Sequence, residues 1–170
     1  MARAVPLSRF TDSGRLPRPG GGPAFGVRPL AMLAIRPAQL TDGGALFALA
    51  SAFATSFSVE RAAFESSLGA LLQSPDAFIA VAADGGRVVG YVLGFDHHTF
   101  YANGRVAWVE EIMVAEEVRR RGVGRQLMER FEQWARSRQS KLIGLATRRA
   151  APFYKSIGYD ESATYFRRLL

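Results

Sequence analysis

A strand-like run, a glycine-containing loop and an amphipathic helix follow one another in the second half of the chain, and this succession constrains the fold most. The apolar run ends at Val114, the helix extends from Gly122 to about Arg138, and a second apolar run occupies residues 141–146. Apolar residues recur at helical spacing within the helix. The three segments predict a βαβ unit, in which a right-handed crossover joins two parallel neighbouring strands.

The patterns of the other segments also predict strands and helices. Residues 78–82 and 87–95 are β-favouring runs, and the turn residues Gly85 and Gly86 between them predict an antiparallel hairpin. Strands are also expected at 33–37, 107–114 and 159–169, and helices at 41–50, 59–72 and 150–157. The predicted fold class is α/β: a mixed, mostly antiparallel sheet with a central parallel βαβ unit and flanking helices.

The first 31 residues differ in composition from the rest. They hold five prolines and the run Gly20-Gly21-Gly22. They also carry about +4 of the net charge of +7 of the 170-residue chain. This composition predicts a flexible tail at 1–31 and a single folded domain at 32–170. The tail lacks an uninterrupted apolar core, so a signal peptide is not expected.

Composition also excludes several kinds of site. The chain has no cysteine, which rules out disulfides, zinc–thiolate clusters and a cysteine nucleophile, and which suits a reducing cytoplasm. Nowhere do about 18 apolar residues run together, so no membrane span is predicted. His97 and His98 lack the spacing of a metal pair, so Asp96-His97-His98-Thr99 is interpreted as a solvated loop and no metal site is predicted. The alternative is that one histidine lines a substrate pocket or relays a proton.

The loop Arg119-Arg120-Arg121-Gly122-Val123-Gly124 has the chemistry of a phosphate site. Backbone N–H groups at a helix start lack partners and lie at the positive end of the helix dipole, and arginines add charge-assisted bonds. A Walker loop would need Lys and Ser or Thr where Arg125 and Gln126 stand. A dinucleotide fingerprint would need glycine in place of Leu127. The remaining candidate is a ligand whose pyrophosphate lies on the loop and whose reactive end lies along the preceding strand.

Two motifs, in this order and at this separation, resemble a known family. Arg119, Gly122 and Gly124 match the pattern R/Q-x-x-G-x-G/A, and the segment 153–159 matches F-Y-x-x-x-G-Y/F. Over residues 33–170 the chain resembles the GNAT superfamily of acetyl-CoA-dependent N-acetyltransferases. The resemblance implies a GNAT-like acyl-CoA N-acyltransferase fold, acetyl-CoA as cosubstrate without a metal, and a small-molecule or peptide amine as acceptor.

The resemblance also implies which residues bind coenzyme A. The loop amides would hold the pyrophosphate, and main-chain groups of the preceding strand would pair with the pantetheine arm beside the thioester. Many members carry an asparagine for that arm at the position where this chain has threonine. The cofactor-binding residues implied in this way are Ile112, Met113, Val114, Arg119, Arg120, Arg121, Gly122, Val123, Gly124, Arg125 and Thr147.

Three residues are candidates for the chemistry itself. Attack on the thioester requires a neutral amine, so a base, or a water chain leading to one, should lie near the acceptor nitrogen. Glu110 and Glu111 are the candidates, and strand alternation puts them on opposite faces unless a bulge intervenes. The resemblance favours Glu110 as the base and Glu111 as a substrate contact. It also makes Tyr154 the proton donor to the coenzyme sulfur, since a phenol can supply a proton.

The sequence therefore predicts a cytoplasmic enzyme that moves an acetyl group directly from acetyl-CoA to a primary amine, without an acyl-enzyme intermediate. The alternative is a non-catalytic acyl-CoA-binding or interaction module of the same fold. Nucleic-acid binding through the arginine-rich tail is a less favoured third hypothesis, which predicts binding that salt weakens steeply. A homodimer is compatible with the main prediction. The identity of the acceptor is not carried by any motif.

Overall fold

The computed structural model describes residues 32–169 of the chain. Five strands and four α-helices occur in this range: β1 (Leu33–Pro37), α1 (Gly43–Phe53), α2 (Arg61–Gln73), β2 (Ala77–Asp84), β3 (Arg87–Thr99), β4 (Gly104–Val114), α3 (Val123–Ser137), β5 (Ile143–Leu145) and α4 (Ala151–Ser156). Short 3₁₀ turns at Leu40–Asp42 and Glu116–Val118 precede α1 and α3. The tail expected at 1–31 lies outside the described residues.

The strands form one sheet in the order β1-β2-β3-β4-β5. All neighbours are antiparallel except β4 and β5, in which Ala107–Val109 pairs in parallel with Ile143–Leu145. Helix α3 connects these two strands, so the predicted βαβ unit is present, and it lies at one edge of the described sheet. The predicted fold class is confirmed: the sheet is mixed and mostly antiparallel, and helices flank it.

Helices cover both faces of the sheet. On one face α3 buries Val123, Leu127 and Phe131, which helical spacing brings into a single apolar stripe. On the opposite face α1 buries Leu46 and α2 buries Leu68. Alternate residues of the strands complete the two cores, as period-two patterning requires. The sheet therefore carries one core beneath α3 and another beneath α1 and α2.

Strand β3 extends to Thr99, so the interpretation of Asp96-His97-His98-Thr99 as a solvated loop is wrong. This segment continues the antiparallel ladder with β4. The strand accommodates Asp96, whose side chain is buried, because Arg105 and Arg138 form ion pairs with it. These partners come from β4 and from the residue that caps α3, and a local sequence pattern does not reveal them. The two histidines are exposed on the strand.

The strand expected at 159–169 is absent from the described part of the chain, and that prediction is wrong. Gly158, with φ of +92°, ends the turn after α4, and residues 160–169 run on without pairing and with exposed side chains. The neighbouring strand β5 has only three residues, so its ladder is too short to hold a strand of that length. A side-chain bond anchors the segment instead: Arg167 Nη1 donates to Ser56 Oγ at 2.9 Å.

Gly94 of β3 lies where the backbone and a core side chain approach closely. A Cβ atom there would lie 2.5 Å from the Trp108 carbonyl oxygen and would also overlap the ring of Phe131, which is fully buried. Neither atom can move freely, since one is backbone and the other is core. We expect Gly94→Ala to lower the free energy of unfolding by about 1–3 kcal/mol, measured by urea denaturation.

Gly69 in α2 provides the matched control, because nothing lies within 4 Å of a Cβ atom added to it. Gly69→Ala should raise the free energy of unfolding by about 0.5–1 kcal/mol, since alanine is the better helix former. A Gly94→Ala protein as stable as the parent would show that the close approach at this position has no energetic weight.

Candidate active site

A large cleft opens where β4 and β5 separate. The two strands pair only as far as Val109 and Leu145, and beyond that point they diverge around a cavity of about 1880 Å³. A pocket for one small ligand is typically about 300–1,000 Å³, so the cleft has room for two ligands side by side. The loop before α3, the helix α4 and the helices α1 and α2 contribute its walls.

The free edge of β4 forms one side of the cleft. The Ala115 amide donates to the Val89 carbonyl at 2.8 Å, and hydrogen-bonded pairs alternate along an antiparallel ladder. By this alternation the main chain of Met113 is bonded to β3, whereas the N–H and C=O groups of Ile112 and Val114 point towards the cleft. No strand of the described chain pairs with this edge beyond Val109. An extended ligand can therefore bond to β4 as an added strand would.

The loop before α3 presents backbone amides to the same cleft. Gly122 caps the helix with φ of +80°, a conformation that suits glycine. The Gln126 amide is the first helical donor and bonds to the Gly122 carbonyl at 3.1 Å, so the amides of Val123, Gly124 and Arg125 have no helical acceptor. They lie at the positive end of the α3 dipole. The loop can therefore hold an anionic group.

The arginines around the cleft divide into two groups. Arg119 Nε donates to the Val114 carbonyl at 3.0 Å, and Arg125 Nη2 donates to the Ser156 carbonyl at 3.3 Å, so both tie neighbouring segments together. Arg120, Arg148 and Arg149 line the cleft, are exposed and make no ion pair with any described residue. These three are available for phosphate groups.

Sequence reasoning placed Arg121 with the other loop residues, but it is not among the residues that line the cleft. It did not name Arg148 and Arg149, which do line it. The available signal in the sequence was the pair of adjacent arginines just before α4, close to the second motif.

A β-bulge brings both candidate carboxylates to the cleft. Leu93 opposes Glu111 and Gly94 opposes Val109, which leaves Glu110 as the extra residue on β4. Directly opposed residues share a face, so Glu111 lies with Leu93 on the face covered by α1 and α2. Both glutamates line the cleft although they are adjacent in sequence. This is the exception to strand alternation that the sequence left open.

The two glutamates have different surroundings. The Tyr91 hydroxyl donates to Glu111 Oε2 at 2.5 Å, which fixes that half-buried carboxylate. Burial raises the pKa of Tyr91 well above its ordinary value, and the charge of Glu111 and the hydrogen bond raise it further, so the phenol stays neutral and donates. Glu110 is exposed and forms no hydrogen bond or ion pair with the described residues. Sequence reasoning did not identify Tyr91, whose only signal was a polar aromatic residue within an aliphatic strand.

Tyr154 of α4 lies on the other side of the cleft. Its side chain is buried against the rings of Phe153 and Tyr159, with ring centroids 5.0 Å and 6.0 Å away. Burial raises its pKa, so the phenol carries its proton at neutral pH. Within residues 32–169 its hydroxyl has no hydrogen-bond partner, although the residue lines the cleft. Tyr154 therefore presents an uncommitted donor.

Thr147 holds the start of α4 in place. Its Oγ1 accepts a hydrogen bond from the Ala150 amide at 3.0 Å, and the residue also lines the cleft. The hydroxyl proton remains available to a ligand. His97 and His98 are absent from the residues that line the cleft, so the structure does not bring them to this site.

The described residues contain no group of three or more His, Cys, Asp or Glu that could hold a metal ion. No helix between residues 32 and 169 is long and apolar enough to cross a membrane. The cleft itself combines a free strand edge, an anion-binding helix start, two carboxylates and a buried tyrosine. These are the features of an acyltransferase site.

Comparison with known proteins agrees with the assignment of an acyltransferase site. Residues 46–159 match the model of the acetyltransferase (GNAT) family. The chain belongs to this family, which indicates that it is an acetyltransferase that uses acetyl-CoA. No curated protein matches the chain by sequence.

Solved structures share the fold at low identity. An acetyltransferase from Trypanosoma brucei is 19% identical with a TM-score of 0.71, over 82% of this chain and 100% of its own. Glucosamine-6-phosphate N-acetyltransferase from Arabidopsis thaliana is 17% identical with a TM-score of 0.73, over 81% and 98%. An aminoglycoside N-acetyltransferase in complex with CoA is 18% identical with a TM-score of 0.71, over 81% and 95%. These likenesses establish the shared fold.

Proposed function

We propose that the protein is an N-acetyltransferase that transfers an acetyl group directly from acetyl-CoA to a primary amine of a small molecule or peptide. One observation carries the proposal: a single cleft contains the free edge of β4, the amides before α3, the carboxylate of Glu110 and the hydroxyl of Tyr154. A binding module would need only the first two of these. The two acid–base groups on opposite sides of the cleft favour catalysis.

The residues of the cleft fit acetyl-CoA. The amides of Val123 and Gly124 suit a pyrophosphate, because they lack helical acceptors at the positive end of α3. The exposed guanidinium groups of Arg120 and Arg149 suit the phosphates. The outward N–H and C=O groups of Ile112 suit the amides of the pantetheine arm, since they reproduce the pairing of a strand.

Bound acetyl-CoA supplies an activated acyl group: the amine nitrogen bonds to the acetyl carbon, the carbon–sulfur bond breaks, and sulfur leaves with the electron pair. Glu110 accepts the proton that the amine loses, directly or through water. Tyr154 donates its phenolic proton to the departing sulfur. An outward amide of β4 stabilises the negative charge that develops on the acetyl oxygen, an interaction worth about 3 kcal/mol in other enzymes.

The test of this function is release of free coenzyme A from acetyl-CoA by the purified protein with a panel of amines. Tyr154→Phe should slow the release by about tenfold or more, because the sulfur then leaves without its proton donor. The affinity for acetyl-CoA, measured by calorimetry, should change little, since the variant keeps the ring and its packing.

Tyr159→Phe is the matched control. The Tyr159 hydroxyl donates to Glu132 Oε1 at 3.3 Å, and neither residue lines the cleft, so this variant should keep the parent rate. An unchanged rate in Tyr154→Phe would remove Tyr154 from the proposed role. Binding of acetyl-CoA without release of thiol by any amine would favour the non-catalytic module.

A further inference from the structure

The part of the cleft opposite the phosphate loop is largely apolar. We call it the acceptor half: it is formed by the residues of α1, α2 and their connection that line the cleft, together with β3, the bulge of β4 and the C-terminal segment. Fifteen lining residues lie between Leu46 and Leu71, and Glu60 is the only ionisable one among them. Ten of the others are apolar, among them Phe53, Phe57 and Phe64, and four carry hydroxyl groups: Thr55, Ser56, Ser58 and Ser67. An acceptor that enters here meets aromatic and aliphatic side chains.

The floor of the acceptor half offers one carboxylate held in place among apolar groups. Tyr91, Leu93 and Met113 belong to the core beneath α1 and α2, and each also lines the cleft. Glu111 lies on the same face, and its Oε2 atom accepts the Tyr91 hydroxyl. Its other oxygen remains available for an ammonium group. Glu110 is the adjacent residue at the bulge, within the same cleft.

The charges of the acceptor half favour a cationic amine with few charges. Of the six arginines that line the cleft only Arg167 belongs to this half, where it faces three carboxylates, Glu60, Glu110 and Glu111. With Glu110 and Glu111 engaged by the reacting amine, only Glu60 remains for a second ammonium group, so a substrate with several ammonium groups would leave some of them without a carboxylate among apolar side chains. A sugar phosphate would find hydroxyl partners in this stretch only at Thr55, Ser56, Ser58 and Ser67, and its other hydroxyl groups would lie against aromatic and aliphatic side chains.

The C-terminal segment joins the two walls of the acceptor half. Arg167 lines the cleft and donates to Ser56 in the connection between α1 and α2, at 2.9 Å. Tyr165 of the same segment also lines the cleft. The link joins two of the segments that line the acceptor half, and a small molecule can bind beside them without breaking it.

We propose that the acceptor is a small primary amine with a single positive charge on an aromatic or aliphatic body, and that Glu111, positioned by Tyr91, binds its ammonium group. This inference rests on the proposed function. In the productive complex the apolar body lies against α1 and α2. The ammonium group passes one proton to Glu110, which returns it to solvent. The neutral nitrogen then attacks the acetyl carbon and the carbon–sulfur bond breaks, and the second proton that the nitrogen loses replaces, through water, the proton that Tyr154 gives to the sulfur.

A homologous series of amines tests the apolar body. Ethylamine, butylamine and hexylamine have the same charge and differ only in methylene groups. The value of kcat/KM for release of free coenzyme A should rise about fourfold for each added methylene group until the pocket is filled. Phenethylamine should be acetylated at least tenfold more efficiently than sisomicin, an aminoglycoside with several amino groups, or glucosamine 6-phosphate. A flat or falling series, or preference for either polar amine, would overturn the inference.

Two variants test the anchoring of the ammonium group. Glu111→Gln should raise the KM for phenethylamine by roughly tenfold or more, because it removes a charged hydrogen-bond acceptor. Tyr91→Phe should raise the same KM by a smaller factor. In both variants kcat and the KM for acetyl-CoA should change little. Loss of stability alone would lower the amount of active enzyme without raising the KM for the amine, so a raised KM reports on binding. An unchanged KM for phenethylamine in both variants would contradict the assignment of Glu111.

The outcomes separate this inference from the function on which it rests. If no amine of any class releases thiol above the hydrolysis background, both proposals fail together. If sisomicin or glucosamine 6-phosphate is the better acceptor, the N-acetyltransferase function stands and only the apolar monoamine is excluded.

Discussion

Glu110→Gln should slow amine acetylation by about 100-fold at neutral pH, because an amide cannot accept the proton that the amine must lose. Glu110 is the residue that the β4 bulge leaves without an opposing partner, and it lies exposed in the cleft. The substitution keeps the size of the side chain and breaks no hydrogen bond or ion pair within residues 32–169. The measurement is the rate of coenzyme A release under saturating acetyl-CoA.

The pH dependence distinguishes lost base catalysis from lost structure. As the pH rises towards the pKa of an alkylamine, about 10.4 for a lysine-like group, free amine forms in solution without a base. The Glu110→Gln rate should therefore recover relative to the parent at alkaline pH. Glu129→Gln, on an exposed part of α3 away from the cleft, should match the parent at every pH. A Glu110→Gln enzyme that keeps the parent rate at neutral pH would show that Glu110 is not the base.

Local chemistry explains which parts of the molecule the sequence predicted. The end of β4 at Val114 and the cap of α3 at Gly122 follow from apolar periodicity and from the conformational freedom of glycine, both of which act over a few residues. The hairpin between β2 and β3 follows from its two glycines in the same way. The two motifs that identified the family are also contiguous stretches of chain.

Contacts between distant segments explain what the sequence did not predict. The bulge at Glu110 depends on Gly94 of the neighbouring strand, where a side chain would meet the Trp108 carbonyl. The bond between Tyr91 and Glu111 joins residues 20 positions apart on different strands. Neither pairing has a signature within one segment. The orientation of the two carboxylates therefore could not be predicted without the register of the sheet.

The strand that the sequence predicted at 159–169 does not form, and the reason is related. Residues 159–169 carry a β-favouring pattern, but a strand also needs a neighbour with free main-chain groups. Strand β5 offers only Ile143–Leu145. The segment instead bonds to the connection between α1 and α2 through Arg167 and becomes part of the cleft wall. A pattern predicts a strand only where tertiary structure supplies the partner.

A buried ion-pair cluster at the far end of the sheet explains the length of β3. Asp96 is 1% exposed and accepts hydrogen bonds from Arg105 Nη2 at 2.8 Å and Arg138 Nε at 3.1 Å. Both arginines also pair with Asp76 at the start of β2. The cluster thus joins β2, β3, β4 and the end of α3. Burial alone would raise the pKa of Asp96, but the hydrogen bonds and charges of the two arginines outweigh it and lower the pKa below its ordinary value.

Asp96→Asn should lower the free energy of unfolding at neutral pH by about 2–3 kcal/mol, because the half-buried Arg105 and Arg138 lose the charged hydrogen bonds to the buried carboxylate and keep only Asp76. Urea denaturation measures the loss. Glu117→Gln is the matched control: Glu117 forms an exposed ion pair with Arg87 at 2.8 Å, and such pairs contribute about 0.2–1 kcal/mol. Equal losses in the two variants would show that burial gives the Asp96 cluster no special weight.

The direction of the Asp96 pKa shift predicts how the stabilities of the parent and of Asp96→Asn depend on pH. A carboxyl group whose pKa is lower in the folded than in the unfolded state stabilises the fold above its unfolded pKa, about 3.9 for aspartate. That contribution is lost as the pH falls through the lower, folded pKa, since the parent then carries a neutral Asp96 as well. The stability gap between the parent and Asp96→Asn should therefore be constant above about pH 5 and should narrow as the pH falls further. A gap that persists undiminished in acid would mean that the carboxylate charge contributes nothing and that the asparagine is destabilising through its shape alone.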